Sequence, residues 1–352
     1  MYGRWGYRCR VSGLGVTLVA EAEGAAEDGA DGVRRQVLSL LDGAVRAVVL
    51  GGAVVETVVR AAGGRGPVTT LVDTPAVQRA VGVANGMFAM LPAAMSVRLD
   101  HRRVAVEPEA LAAAYPDASG RLVVFVHGLV ETERSWFHRP DPDRARTGTG
   151  FGSRLAGDLP ATPVYVRYDT GRRISENGRE LAGLLTDLVA AWPATVTEMV
   201  IIGHSMGGLV ARDALRQAAG LPVTRLVCLG SPHAGAPLER VVVRAGALLG
   251  RFATAAPLVR LLALRSDGIK DLARGALPPD RPDEVRQLFV AATLSRAEGS
   301  LLGRLFGDLL VPPASAGDPT QRADVRWFGG MHHFELQSHD LVYDAVLEWL
   351  RS

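Results

Sequence analysis

The chain has 352 residues, is 48% hydrophobic and carries a formal net charge of only +2. That length suits one large domain with an extra segment, and the weak charge without any basic block excludes a protein that tracks a nucleic-acid backbone. Two cysteines, Cys9 and Cys228, make neither a disulfide framework nor a metal cluster, so no metal is expected.

From the N-terminus, Arg4, Arg8 and Arg10 precede a mildly apolar stretch, 11–20, that Ser12, Gly13, Gly15 and Thr17 interrupt. A secretory signal has a stronger apolar centre, so the expected location is cytoplasmic, with association at a membrane surface left open. Apolar residues at 33–62 and 74–91 follow helical spacing, broken by the turn-like Gly63-Gly64-Arg65-Gly66-Pro67. Residues 80–97 are uncharged, but Asn85, Gly86 and Pro92 fit a buried or interfacial helix better than a membrane span. Residues 95–106 alternate as a strand pair does, with Asp100 and His101 at the tip. The polar turn 115–120 then marks a boundary: residues 1–115 form a mainly helical N-terminal extension ending in a β-hairpin, and 116–352 form a second domain.

That domain alternates strands with helices. Buried-type strands are expected at 122–126, 164–168, 199–202, 226–229 and 287–294, with helices at 177–191, 206–218 and 342–350. This rhythm predicts an α/β fold, a mostly parallel central sheet with helices on both faces. Residues 238–285 break it. They hold a long apolar stretch, 241–264, punctuated by Arg244, Arg251 and Arg260, and an insertion after a core strand is where a lid over an active site would sit. The stretch suits an amphipathic lid in peripheral contact with a membrane as well as a buried cap helix whose arginines snorkel.

Gly203-His204-Ser205-Met206-Gly207 lies where the strand 199–202 meets the helix from Met206. A strand-to-helix turn this tight strains the serine backbone and leaves no room for side chains two residues away, which explains glycine at 203 and 207. Ser205 is the candidate nucleophile. It needs a base, and the base an orienting acid, in the chain order Ser, Asp or Glu, His. The loop before the last helix offers the pair His332 and His333. His233 follows the next strand and would precede any acid, so it reads as structural or pocket-lining. Asp308 follows the strand 287–294 and is favoured modestly by chain order. Asp267 and Asp271 lie in the insertion, and Asp318 and Asp324 in a polar loop. An oxyanion hole requires two amides, for which Met206 and Leu129 are the candidates. Leu129 follows His127 and Gly128 at the end of the strand 122–126, where glycine lets the backbone approach closely and His127 reads as a structural hydrogen-bonding residue.

Several strings together resemble the lipase-type α/β-hydrolases, notably the GPI inositol-deacylase-like lipid-ester hydrolases, from about residue 121 to the end. They are His127-Gly128-Leu129 with Trp136, Tyr168-Asp169-Thr170-Gly171 with Asn177-Gly178, Gly203 to Gly208, and Gly230 to Leu238. The resemblance implies the α/β-hydrolase fold and selects Asp308, in Asp308-Leu309-Leu310-Val311-Pro312, as the triad acid, although Leu309 replaces the family's glycine. It also selects His333, in His333-Phe334-Glu335-Leu336, over His332. It gives residues 1–115 no role. The expected function is a serine esterase or lipase-like enzyme that forms an acyl-enzyme, acts on small-molecule or lipid esters and requires no cofactor. An acyltransferase using the same triad, or a non-catalytic binding protein on the same fold, are the alternatives.

Overall fold

Strands buried on both faces need helices on both sides of the sheet, and apolar runs such as Leu122-Val123-Val124-Phe125-Val126 are of that kind. In a computed structural model, which describes residues 6–12, 15–21, 94–137, 150–218, 220–234, 267–274, 285–293 and 323–352, these runs lie side by side.

The chain divides into two compact units, Met1–Ala47 and Val48–Ser352. In the first, β1 (Gly6–Ser12) and β2 (Gly15–Glu21) form an antiparallel hairpin in which Gly6 pairs with Glu21 and Ser12 with Gly15.

The second unit carries an eight-stranded sheet. Its strands are β3 (Ser96–Leu99), β4 (Arg102–Val104), β5 (Arg121–Val126), β6 (Thr162–Arg167), β7 (Glu198–His204), β8 (Val223–Leu229), β9 (Arg286–Thr293) and β10 (Asp324–Gly329). Their spatial order is β10-β9-β8-β7-β5-β6-β3-β4. From β10 to β6 all neighbours are parallel, while β3 and β4 add on antiparallel. The described helices are α1 (Pro108–Ala114), α2 (Phe151–Asp158), α3 (Ile174–Ala191), α4 (Met206–Gln217), α5 (Asp267–Arg274) and α6 (Asp340–Arg351).

The period of two along each strand sends alternate side chains to two separate cores. Leu122, Val124 and Val126 pack with Leu181 and Leu185 of α3 and Leu209 and Val210 of α4. Val123 and Phe125 pack on the other face with Leu155 of α2 and Val342, Val346 and Leu350 of α6. Helix α3 buries positions 174, 177, 178, 181, 182, 185 and 188, a single stripe at helical spacing.

Two expectations change. The hairpin at the end of the N-terminal extension is not separate from the sheet: it forms β3 and β4, so the sheet starts at Ser96, ahead of the turn at 115–120. Asp324 lies not in a polar loop but at the start of β10. That edge strand is mostly exposed, with Trp327 half-exposed, and a strand held by one parallel neighbour and little burial leaves no apolar run in the sequence. The helices expected at 33–62 and 74–91, the stretch 241–264 and Asp308 lie outside the described residues. No described helix is long and apolar enough to cross a membrane.

Chain direction fixes where a site belongs. From β5 the chain moves outward to β6, returns past β5 to β7, and continues the opposite way through β8, β9 and β10. The crevice at the carboxyl ends of β5 and β7 is therefore the switch point where ligands bind in open α/β sheets.

Candidate active site

Ser205 stands at that switch point, between β7 and α4, with φ 52° and ψ −121°. A non-glycine residue there carries strain of about 1–3 kcal/mol, and such strain collects at functional sites. Surrounding contacts impose it. The Ser205 amide donates to the Leu229 carbonyl at 2.8 Å, and the Ser205 carbonyl accepts from the Gly208 amide at 3.2 Å. A Cβ on Gly203 would stand 2.5 Å from the Gly208 Cα. One on Gly207 would stand 2.5 Å from the His127 carbonyl oxygen and nearer still to that of Val126. Side chains at 203 and 207 are thus excluded by backbone, which cannot move aside as a flexible side chain would.

Met206 opens α4, so its amide is one of the first-turn donors that a helix leaves unpaired, at the positive end of the helix dipole. On the opposite side lies the loop after β5. A Cβ on Gly128 would be 3.0 Å from the Ser205 Cβ, which places this loop directly against the serine. The Gly128 amide is occupied, donating to Glu131 Oε2 at 2.7 Å. The Leu129 amide has no hydrogen-bond partner among the described residues, so it remains the donor this loop can offer.

His127 is fully buried, and its ring stacks on Tyr168 with centroids 4.5 Å apart. The Tyr168 amide, which can only donate, points at Nε2 at 3.3 Å, so Nδ1 carries the hydrogen and donates to the Gly128 carbonyl at 3.0 Å. Burial lowers the pKa of this ring and keeps it neutral. The Tyr168 hydroxyl completes the frame by donating to the His127 carbonyl at 2.8 Å. His127 therefore holds the loop and does not face the reacting centre.

His332 and His333 part company at the turn His333–Gln337, which follows β10. His332 is turned outward to Glu335, with its Nε2 3.7 Å from that carboxylate. His333 is buried. A Cβ on Gly230 would lie 3.0 Å from its Cε1 and 3.1 Å from its Nδ1, so the ring rests on the residue that follows Leu229, the hydrogen-bond partner of Ser205. Three of the five aspartates considered are engaged elsewhere. Asp324 Oδ2 accepts from Trp349 Nε1 at 2.6 Å, Asp271 accepts from the Ile174 amide at 3.1 Å, and Asp267 pairs with Lys270 at 2.9 Å. Asp308 and Asp318 lie outside the described residues. His233 is buried in stacking contact with Phe289, centroids 4.0 Å apart, and its Nδ1 takes a hydrogen bond from Arg212 at 3.0 Å, a structural position.

Two features at the site carried no sequence signal. Glu131 is buried at its centre, although one glutamate in a polar loop looks like any surface carboxylate. Helix α5 seats the end of the insertion on the loop after β6. The Gly268 amide donates to the Gly171 carbonyl at 3.1 Å, and a Cβ there would lie 3.4 Å from the Met206 Cε.

The mature form of a Bacillus licheniformis lipase, BlEst2, superposes with a TM-score of 0.50 at 19% identity, covering 74% of this chain and 99% of that one. The fold is that of the α/β-hydrolases. The propeptide form of the same lipase gives a TM-score of 0.51 at 18% identity, over 74% of this chain and 54% of that one. A profile of the PGAP1-like alpha/beta domain matches residues 163–256, the span from β6 through the elbow, which includes Ser205 but neither His333 nor Asp308. Comparison with curated protein sequences gives no match. Ser205 directly follows β7, and His333 opens the turn that follows β10.

Proposed function

We infer that this protein is a serine hydrolase that cleaves carboxylic esters through Ser205, His333 and Asp308. The observation that carries the reading is the strained Ser205 backbone, held at the switch point with the Gly128 turn packed on its side chain. The site's partners support it: a buried histidine on the neighbouring strand end, and two amides, Leu129 and Met206, left for a ligand oxygen.

In this mechanism the His333 imidazole takes the Ser205 hydroxyl proton as Oγ bonds to the ester carbonyl carbon. The carbonyl π electrons move onto oxygen, where the Leu129 and Met206 amides hold the negative charge. Collapse breaks the bond to the alcohol oxygen, which leaves with the proton from His333. Water then attacks the acyl-enzyme, giving its proton to His333. The carboxylic acid departs and Ser205 recovers its hydrogen. Asp308 keeps the imidazole oriented and offsets its charge in each half-reaction.

The test is hydrolysis of p-nitrophenyl esters of increasing acyl length by the wild type and by Ser205→Ala. Turnover of at least one ester, lost by about 10⁴-fold or more in the variant, is expected. No turnover across the series, or equal turnover by both proteins, contradicts the reading.

A further inference from the structure

Three segments assemble the site, and all three meet on one oxygen atom. Glu131 Oε2 accepts from the Gly128 amide at 2.7 Å, from His204 Nδ1 at 3.1 Å and from Gln337 Nε2 at 3.1 Å. Gly128 belongs to the loop beside Ser205, His204 immediately precedes the serine, and Gln337 ends the turn that begins with His333. The other nitrogen of His204, Nε2, lies 3.2 Å from the His333 carbonyl oxygen, so the same turn is held at both ends.

The geometry points to Glu131 as a positioning residue that, through His204, fixes the oxyanion loop and the histidine turn in register around Ser205; this rests on the hydrolase reading above. The loop does not hold itself. Val130 has φ 59°, a left-handed conformation that a β-branched side chain resists, and Leu129, the candidate oxyanion donor, immediately precedes it. The turn is closed on both sides of that strained residue: the Glu131 carboxylate binds the Gly128 amide, and the Glu131 amide binds the Gly128 carbonyl at 3.3 Å. With its own amide occupied, Gly128 leaves the Leu129 amide to the substrate.

The electrostatics agree. Glu131 is nearly inaccessible and its burial disfavours charge, yet the charge and hydrogen bond of His204 and the Gly128 amide outweigh that and hold its carboxyl at about 2. His204, fully buried, has Nδ1 beside this carboxylate and Nε2 beside the His333 carbonyl, so its ring bridges the two segments. Among the described residues Glu131 Oε1 has no hydrogen-bond partner, so the arrangement is concentrated on Oε2.

The test compares Glu131→Gln, which keeps the shape, with Glu131→Ala and with a control, Glu133→Gln. Glu133 is a second buried carboxylate on the same segment, paired with Arg167 at 2.5 Å. Two readouts are taken: kcat and KM on a p-nitrophenyl ester, and ¹⁵N NMR of the histidine rings near neutral pH. The expected result is a kcat lowered about tenfold in Glu131→Gln and about 100-fold in Glu131→Ala, with KM little changed. Glu133→Gln loses thermal stability but keeps its kcat. The His333 ring resonances move in both Glu131 variants and keep their wild-type positions in Glu133→Gln. Wild-type kcat in both Glu131 variants overturns the proposal, as does an equal loss in Glu133→Gln. Should the wild type hydrolyse no ester, the hydrolase reading fails and the ring signals decide: His333 resonances that move in both Glu131 variants but not in Glu133→Gln sustain the positioning role, and unmoved ones overturn it.

Discussion

The Ser205 amide and the Leu229 carbonyl are joined by a 2.8 Å hydrogen bond that ties the elbow to the end of β8. The next residue, Gly230, has φ 61° and bears the His333 ring. The nucleophile and its proposed base are thus each referenced to one strand end, in consecutive residues.

Gly230→Ala follows from that relationship. Its Cβ would stand 2.8 Å from the Leu336 Cδ1 and 3.0 Å from the His333 Cε1, in a backbone conformation that alanine resists. Displacing the ring by about 1 Å should cost about 100-fold in kcat, with substrate affinity largely kept. Steady-state kinetics with a circular-dichroism check of folding measure this.

Gly128→Ala presses on the other side of the serine. The new methyl would meet the Ser205 Cβ and His204 Nδ1 at 3.0 Å and Glu131 Oε2 at 3.1 Å, so the loop must withdraw and take the Leu129 amide with it. A kcat loss of about 100-fold or more is expected, as for removal of an oxyanion donor. Slower labelling by an active-site phosphonate should accompany it.

The two adjacent histidines should separate cleanly. His333→Ala is expected to lower kcat about 10⁴-fold, whereas His332→Ala, which removes a half-buried ring that faces Glu335 and Phe334, should retain near wild-type kcat. Loss of activity in His332→Ala with His333→Ala unaffected would reverse the assignment.

Acid should weaken the fold partly through Glu131. Its pKa in the folded protein, about 2, is below the ordinary 4.5, so its ionised form contributes stability above the ordinary value. That contribution is lost as pH falls through 4.5 toward about 2. Urea midpoints measured across that window should fall less steeply in Glu131→Gln than in the wild type.

Sequence reading succeeds here where burial writes itself into the residues. The strands β5, β7 and β8 appear as apolar runs because both faces are covered, and Gly203 and Gly207 appear because backbone fills the space a side chain would need. β10 escapes because an exposed edge strand has no such constraint, and its Trp327 and charged neighbours read as loop. Which of His332 and His333 is buried depends on which way one turn faces, a property of tertiary packing that the sequence leaves open. Glu131 is invisible for a related reason. Its role arises from partners at 204 and 337, distant in sequence and brought together only by the parallel order of the sheet.

The central claim is that Ser205 is an activated nucleophile, and labelling with a fluorophosphonate followed by peptide mass spectrometry tests it most directly. The account predicts one covalent adduct, on the peptide containing Ser205, absent from Ser205→Ala and strongly slowed in His333→Ala. A wild-type protein that takes no label, or a Ser205→Ala variant labelled as fast as the wild type, would contradict it.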